Sequence, residues 1–278
     1  MPTQPPALTD AQIEHFNTFG FIVRRQLFSA QEIKHINQEF AVGLDHTLEQ
    51  NKTALGERGQ FNWSNMNQRA PYLLSLMEDP RICTAAEQLL GENVFGFAAN
   101  SNLFNGDRTE WHPDLDSPHL KGAKFLLYTT PVDGNTGALR VLPGSHRKEF
   151  GSELQRIGLK GDVNDTTSPF LKASNLGIND IPAYICATEP GDMITFDYRL
   201  WHASWAGTAG RRMVSFNFYT MPQTPEEHQA MQELVDVYQE IRDDFFPDPP
   251  NYSWWEENAL QRSTVRSWLD AIDACGLK

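Results

Sequence analysis

The middle of the chain consists of short runs rich in β-branched and aromatic residues, separated by turn-forming dipeptides. Asp133-Gly134, Pro143-Gly144 and Pro190-Gly191 are turns of this kind. Short strands joined by tight turns predict an antiparallel sandwich or barrel. The predicted strands are Val94–Phe104, Ala123–Thr130, Ala138–Leu142, Ala183–Thr188, Met193–Phe196 and Met213–Tyr219.

Both ends of the chain are predicted to be helical. Capping boxes begin at Thr9 and Ser29, where a hydroxyl and a Gln or Glu three residues later satisfy the free N–H groups of a helix start. A further helix is predicted over Asp79–Leu90, and another begins at Thr224. We therefore expect one domain over residues 1–278. Its parts would be a helical region to about residue 92, a β core over about 93–222 and helices over about 223–278.

The segment over residues 145–182 is polar, contains Gly and Ser, and shows no clear period. A loop of this length in a compact domain is usually functional or disordered. We expect it to form a lid over a functional site.

Composition limits the classes of function. The chain has 278 residues and a net charge of −13, which excludes a general binder of nucleic acids or anionic membranes because such partners require a cationic face. Its three cysteines lie far apart without a Cys-x-x-Cys pair, which argues against a structural zinc site and fits a reducing compartment. The absence of a signal-like start and of a long apolar run predicts a soluble, cytoplasmic protein.

His112 and Asp114 are the first candidate metal ligands. Residues two apart in an extended chain point to the same face, so this imidazole and carboxylate can reach one point. An ion pair at a strand end, or a solvated turn, would give the same pattern. Asp116, four residues from His112, is the rival carboxylate.

His202 is the candidate third ligand. It follows the strand run Met193–Phe196 inside an apolar, aromatic segment, and an antiparallel barrel brings such distant strands together. Two histidines and one carboxylate on one face leave three cis positions open on a metal, as in the facial triad of non-haem Fe(II) oxygenases. A core histidine bonded to the backbone is the alternative interpretation.

One of two adjacent arginines enters an otherwise apolar strand. Burying an unpaired guanidinium is costly, so an arginine there needs an anion, and its planar fork suits a carboxylate. Arg212 shares a strand face with Val214 and Phe216, the more apolar of the two faces. We therefore predict that Arg212 holds a carboxylate and that Arg211 forms a surface salt bridge.

The segment Asn135–Arg147, with the sequence NTGALRVLPGSHR, resembles the signature of the phytanoyl-CoA dioxygenase-like family. The His-x-Asp pair before it, and the Leu-Trp-His-x-Ser segment and arginine after it, follow the family's order. The resemblance covers residues from about 100 to about 219. It implies a mainly β fold with flanking helices, whose core is a double-stranded β-helix of the jelly-roll, cupin-like type. It also implies an enzyme that uses Fe(II), 2-oxoglutarate and O2.

The resemblance assigns roles to individual residues. It makes His112, Asp114 and His202 the iron ligands. Arg212 and Ser204 would hold the distal carboxylate of 2-oxoglutarate. Polar or aromatic residues near the expected pocket complete the prediction. They are Tyr128, Thr130 and Asn102 for 2-oxoglutarate, and Asn100, Trp63 and Asn65 for substrate.

Two further histidines are not expected to bind metal. His146 belongs to the Pro-Gly-Ser-His turn of the signature and is expected to be structural. His119 has no counterpart in the family pattern and is expected to be exposed to solvent.

The implied reaction is hydroxylation of an unactivated C–H bond of a small molecule, with release of succinate and CO2. A ligand carboxylate at Asp114 argues against halogenation, whereas desaturation and epimerisation stay open. The alternative is a cupin-like metal-binding protein without turnover. We expect a small-molecule substrate, no nucleic-acid or membrane partner, and either a monomer or a homodimer.

Overall fold

The structure is a computed structural model that describes residues 7–55, 59–106, 108–160, 168–207, 209–245 and 250–276. Helices flank the β core on both sides in the sequence, as predicted. The α-helices are α1 (Asp10–Phe19), α2 (Ala30–Asn51), α3 (Pro71–Ser75), α4 (Cys83–Leu90), α5 (Lys148–Arg156), α6 (Pro169–Ser174), α7 (Pro225–Phe245), α8 (Tyr252–Asn258) and α9 (Arg262–Ala274), and 3₁₀ turns lie at Leu76–Glu78 and Ile178–Asp180.

The β core consists of two antiparallel sheets. The strands are β1 (Phe21–Arg24), β2 (Gln60–Ser64), β3 (Val94–Asn105), β4 (Thr109–His112), β5 (Gly122–Tyr128), β6 (Arg140–Val141), β7 (Tyr184–Ile185), β8 (Met193–Asp197), β9 (His202–Ser204) and β10 (Ala209–Thr220). One sheet has the strand order β1-β8-β5-β10-β3-β2, and the other has the order β4-β9-β6-β7. Together they form the predicted jelly-roll core, and a cavity lies between them.

The N-terminal part of the chain is not purely helical, which corrects one expectation. It contributes β1 and β2, which form the two edges of the larger sheet. Strand β1 pairs with β8, and β2 pairs with β3. Both are only four or five residues long and lie between helical segments, so their local pattern is too short to indicate strands.

The outer face of the larger sheet is covered by helices. Phe216 and Phe218 of β10 are fully buried there, in one apolar cluster with Ile36 and Phe40 of α2. Trp268 of α9 packs edge-to-face on Phe218, with ring centroids 5.7 Å apart. Each fully buried aromatic side chain stabilises the fold by about 1.5–3 kcal/mol.

The helix starts follow local hydrogen bonding. Both predicted capping boxes are present, because the hydroxyls of Thr9 and Ser29 accept N–H bonds three residues later. Helix α4 begins at Cys83, four residues later than predicted, since the Asp79 carboxylate accepts the N–H of Arg81 and holds a turn there. In the part of the chain that the structure describes, no helix is both long enough and apolar enough to cross a bilayer.

The segment over residues 145–182 is more ordered than predicted. It contains α5 and α6, whose Leu154 and Leu171 are buried. Leu154 packs with Trp111 and Trp201 against the smaller sheet, outside the cavity. Among the described residues of this segment, none lines the cavity, so the structure does not support a lid here; residues 161–167 lie outside the described part.

The Pro-Gly-Ser-His turn packs on the end of α1. The N–H of Gly144 donates to the carbonyl of Phe19 at 2.8 Å, and His146 Nε2 lies 3.2 Å from the carbonyl oxygen of Asn17. Gly20 ends α1 with φ of +82°, and a Cβ there would lie 2.5 Å from the His146 ring. His146 therefore supports this junction and stands apart from the candidate metal ligands.

We predict that Gly20→Ala lowers the free energy of unfolding more than Gly158→Ala does. Both glycines have positive φ, which costs an L-residue about 1–2 kcal/mol. A Cβ at Gly158 would meet no atom within 4 Å, whereas one at Gly20 would clash with His146 and Leu200. Urea unfolding should show a further loss of about 1 kcal/mol or more for Gly20→Ala. Equal losses would contradict the packing role of the junction.

Candidate active site

The pairing of β4 with β9 brings two histidines together. His112 and His202 are direct partners in this antiparallel pair, and their ring centroids are 4.4 Å apart. The neighbouring Trp111 and Trp201 point to the other side of the sheet and pack in an apolar cluster. Because side chains alternate along a strand, burial of the tryptophans on one side turns both imidazoles into the cavity.

Backbone carbonyls orient both imidazoles. His112 Nδ1 lies 2.6 Å from the carbonyl oxygen of Glu110, and His202 Nδ1 lies 2.8 Å from that of Leu200. A carbonyl only accepts hydrogen bonds, so Nδ1 carries the proton in each ring and the lone pair of the neutral ring is on Nε2. Both Nε2 atoms are thereby prepared as metal ligands.

Asp114 completes the cluster. Its Oδ1 lies 3.6 Å from His112 Nε2 and 3.7 Å from His202 Nε2, and the three ligand atoms all lie within 4.8 Å of one another. Asp114 follows the end of β4, and the N–H of Leu115 bonds to the carbonyl of Tyr198 and fixes the chain there. Two imidazoles and one carboxylate on one side of a metal are the donor set of a non-haem Fe(II) site.

Lys124 on β5 binds the other carboxylate oxygen. Its Nζ lies 2.7 Å from Asp114 Oδ2. Burial alone would raise the pKa of Asp114, but the positive charge of Lys124, together with the two adjacent imidazoles, outweighs burial and holds this pKa well below its usual value. The carboxylate is therefore ionised and available to a cation.

The two histidines differ in basicity. Burial lowers the pKa of His202 to about 3, so this ring is neutral at physiological pH. Burial also opposes protonation of His112, but the neighbouring Asp114 carboxylate raises the pKa of His112 overall. His112 is therefore the more basic of the two rings.

The cavity that contains this cluster has a volume of about 480 Å³ and is lined by both sheets and by α7. Most residues predicted for the site line it: His112, Asp114, His202, Ser204, Tyr128, Asn102 and Asn100. Four predicted residues do not: Arg212, Thr130, Trp63 and Asn65.

Trp63 and Asn65 belong to the packing around the site. Trp63 is buried and packs edge-to-face on Phe40, with ring centroids 4.7 Å apart. The Asn65 amide exchanges hydrogen bonds with the hydroxyl of Ser101 at 2.9 and 3.1 Å. Thr130 lies beyond the end of β5. These positions correct the predicted contacts of all three residues.

The two arginines lie on opposite faces of β10. Arg212 lies on the helix-covered face, where its guanidinium contacts the amide oxygen of Asn37 at 3.2 Å and the ring of Phe40 at 5.4 Å. Arg211 lies on the opposite face, which continues through Met213 and Ser215 into the cavity lining. The more apolar face of β10 packs against helices, and the cavity face is the more polar one.

Arg211 is buried behind one end of the cavity, against residues that line it. Its guanidinium donates to the hydroxyl of Ser204 at 3.3 Å and to the carbonyl of Gly137. It also lies 4.2 Å from the ring centroid of Phe104 and 5.9 Å from that of Tyr128. A Cβ on Gly137, which has φ of +90°, would lie 2.5 Å from Arg211, so the signature glycine makes room for this side chain.

The structure adds site residues that the sequence analysis missed. Lys124 could have been found from the sequence, because it is a single charge in the apolar run of β5. As for the arginines, a charge in such a strand needs a partner of opposite charge. Asn217 and Tyr198 could not have been found in this way, since the hydrogen bond between them depends on the pairing of β5 with both β8 and β10. Helix α7 contributes lining residues near the cavity mouth, namely Leu234, Val237 and Tyr238.

A jelly-roll core whose cavity is lined by two histidines and a carboxylate, with a buried arginine bonded to the lining residue Ser204, defines the class of Fe(II)- and 2-oxoglutarate-dependent dioxygenases. Comparison with known protein families supports the same class. The chain belongs to the phytanoyl-CoA dioxygenase family, whose profile matches residues 16–214.

The chain is also similar to curated relatives and to solved structures. The ectoine dioxygenase of Bordetella bronchiseptica is 26% identical over 221 residues, which cover 71% of this chain and 70% of that protein. The structure of HygX from Streptomyces hygroscopicus with nickel and 2-oxoglutarate bound has a TM-score of 0.60 at 16% identity, and covers 78% of this chain and 89% of that one. The apoform of EctD from S. alaskensis has a TM-score of 0.56 at 21% identity, with 79% of each chain covered. These two structures show a shared fold.

We predict that the purified chain binds one Ni(II) per molecule and that His112→Ala or Asp114→Ala abolishes this binding. Loss of a ligand should weaken binding by more than the roughly 10–100-fold that loss of an outer partner usually costs. Calorimetric titration measures the effect. His119→Ala is the matched control, because His119 is exposed and outside the cluster. Unchanged binding in His112→Ala would contradict the site.

Proposed function

We propose that the protein hydroxylates an unactivated C–H bond of a small molecule, and that His112, Asp114 and His202 bind the iron. One observation carries this proposal: the three candidate ligands and the Ser204 hydroxyl line one cavity, and the buried guanidinium of Arg211 donates to that hydroxyl, an arrangement that suits a carboxylate. When bound, iron and 2-oxoglutarate supply the oxidising chemistry, which consumes O2 and yields succinate, CO2 and the hydroxylated product.

Arg211 and Ser204 bind the distal carboxylate of 2-oxoglutarate in this proposal. A guanidinium offers two parallel N–H donors, which match the two oxygens of a carboxylate. The Ser204 hydroxyl lies 3.1 Å from that of Thr109, which adds a second hydroxyl at the same end. The rings of Phe104 and Tyr128 keep water away from the guanidinium and so strengthen its attraction to an anion.

The other end of the cavity is available to the substrate. Amide and aromatic side chains line it, including Asn100, Asn217 and Tyr219. Asn217 accepts a hydrogen bond from the Tyr198 hydroxyl and donates to the carbonyl of Ala98 at 3.1 Å, so its orientation is fixed. A cavity of about 480 Å³ that holds both co-substrate and substrate suits a compact molecule.

The names of related proteins support a small-molecule substrate. Curated relatives are called ectoine dioxygenases, and one HygX structure contains hygromycin B beside nickel and 2-oxoglutarate. We infer a small organic substrate for this chain as well.

Hydroxylation fits the ligand set better than halogenation does. Asp114 lies where a halogenase would leave room for a halide ion, and its carboxylate faces both histidines. The alternative of a metal-binding protein without turnover has less support, because a structural metal needs no buried guanidinium beside its cavity.

We predict that anaerobic addition of Fe(II) and 2-oxoglutarate to the metal-free protein produces the weak visible charge-transfer band of the chelate. The band should be lost in His202→Ala, because this variant lacks one of the three ligands. Absorption spectroscopy in a sealed cuvette is the measurement. If iron binds and no band forms, the protein is a metal-binding module and the oxygenase proposal is wrong.

We predict that Arg211→Met weakens 2-oxoglutarate binding by about 30-fold or more, since loss of one partner of a buried charge pair costs about 2–5 kcal/mol. Titration of the visible band with 2-oxoglutarate gives the dissociation constant. Arg212→Met removes the same charge from the helix-covered face and should change that constant by less than about twofold. The opposite ranking would identify Arg212 as the anchor.

A further inference from the structure

Lys124 lines the cavity and contacts only one of the two carboxylate oxygens of Asp114. Oδ1 faces His112 Nε2 and His202 Nε2 at 3.6 and 3.7 Å. Oδ2 accepts a hydrogen bond from Lys124 Nζ at 2.7 Å. One oxygen therefore points to the position that a metal would take, and the other is held by a cation.

The surrounding strands fix the position of Lys124. It lies in β5, the strand between β8 and β10, and its register partners are Phe196 on one side and Asn217 on the other. Its ammonium group lies 5.7 Å from the ring centroid of Phe196 and 5.4 Å from that of Tyr198. An ammonium held between a carboxylate and two aromatic rings has little freedom to move.

We propose that Lys124 is a positioning residue, which holds Asp114 so that its carboxylate binds the iron through Oδ1 alone. This inference rests on the proposed iron site. A carboxylate that used both oxygens would occupy a second coordination position, and the three open positions of the triad would become two. Lys124 thus keeps room on the metal for 2-oxoglutarate and O2.

Asp114 needs such a partner because its own backbone restrains it only in part. It follows the end of β4, and the nearby backbone bond runs from the N–H of Leu115 to the carbonyl of Tyr198. Rotation of the side chain about its own bonds is still possible. Without Lys124, the largely buried Oδ2 would lack the hydrogen bond that compensates its burial, and it would turn toward the metal or toward water.

Two effects of Lys124 on metal affinity have opposite signs. A positive charge close to a cation weakens metal binding by repulsion. A partner that holds a ligand in its binding orientation strengthens it, typically by about 10–100-fold. The proposal requires the gain from positioning to exceed the loss from repulsion. Whether removal of Lys124 weakens or strengthens metal binding therefore decides between the two effects.

The test is calorimetric titration of the full chain with Ni(II), comparing wild type with Lys124→Met. We expect about 10–100-fold weaker binding in Lys124→Met, because Asp114 loses its fixed orientation. Lys124→Arg should recover most of the affinity, since a guanidinium also donates to a carboxylate oxygen. Lys121→Met is the matched control: it removes one positive charge from an exposed lysine of the same segment and should leave Ni(II) binding unchanged.

The visible band of the Fe(II) and 2-oxoglutarate chelate gives a second readout that does not depend on turnover. At saturating Fe(II), Lys124→Met should bind 2-oxoglutarate more weakly and with a shifted band, because the second oxygen of Asp114 competes for the metal. Lys124→Arg should restore the wild-type band. Far-ultraviolet circular dichroism checks that each variant is folded.

Several outcomes would overturn the proposal. Tighter Ni(II) binding in Lys124→Met would show that Lys124 acts on the metal only by repulsion. Unchanged Ni(II) binding with weaker 2-oxoglutarate binding would show that Lys124 contacts the co-substrate instead of positioning Asp114. Failure of the wild type to bind Ni(II) would overturn the proposed iron site together with this inference, whereas equal binding by wild type and Lys124→Met would overturn this inference alone.

Discussion

The register between β4 and β9 is the interaction on which the site depends. It places His112 directly opposite His202, and the flanking Trp111 and Trp201 pack on the outer side of the same sheet. A shift of one residue would turn these tryptophans into the cavity and the histidines out of it. Because each buried tryptophan removes about 150–250 Å² from water, apolar packing on one side of the sheet enforces metal-binding geometry on the other.

Local sequence was enough to predict the candidate cluster of metal ligands but not to tell which arginine shares its side of the sheet. His112 and Asp114 are two residues apart, and His202 lies in a distinctive aromatic segment, so the candidate cluster could be predicted without coordinates. The arginine prediction assumed that the more apolar face of β10 surrounds the site. In this fold both faces of that strand are buried, one under α2 and α9 and one around the cavity, so apolarity marks the helix-covered face.

Other differences between prediction and structure arise from long-range pairing. Strands β1 and β2 are too short to be recognised from their own sequence pattern. They form because they pair with β8 and β3, whose edges would otherwise be open. Trp63 was predicted to approach the pocket, yet its ring fills the space between β2 and α2. Lys124 stands out in the sequence as a single charge in β5, but its contact with Asp114 depends on the two sheets facing each other.

The signature segment acts through structure rather than through direct chemistry. The carbonyl of Gly137 accepts a hydrogen bond from Arg211, and its lack of a side chain admits that guanidinium. Arg140 stacks on the ring of Trp205, 3.9 Å from its centroid, and so supports the outer side of the sheet that bears His202. His146 packs on the end of α1, beside the entry to β1. Each of these contacts joins the signature to a different layer of the fold. A segment that contributes no candidate metal ligand therefore still helps to position the candidate ligands and Arg211.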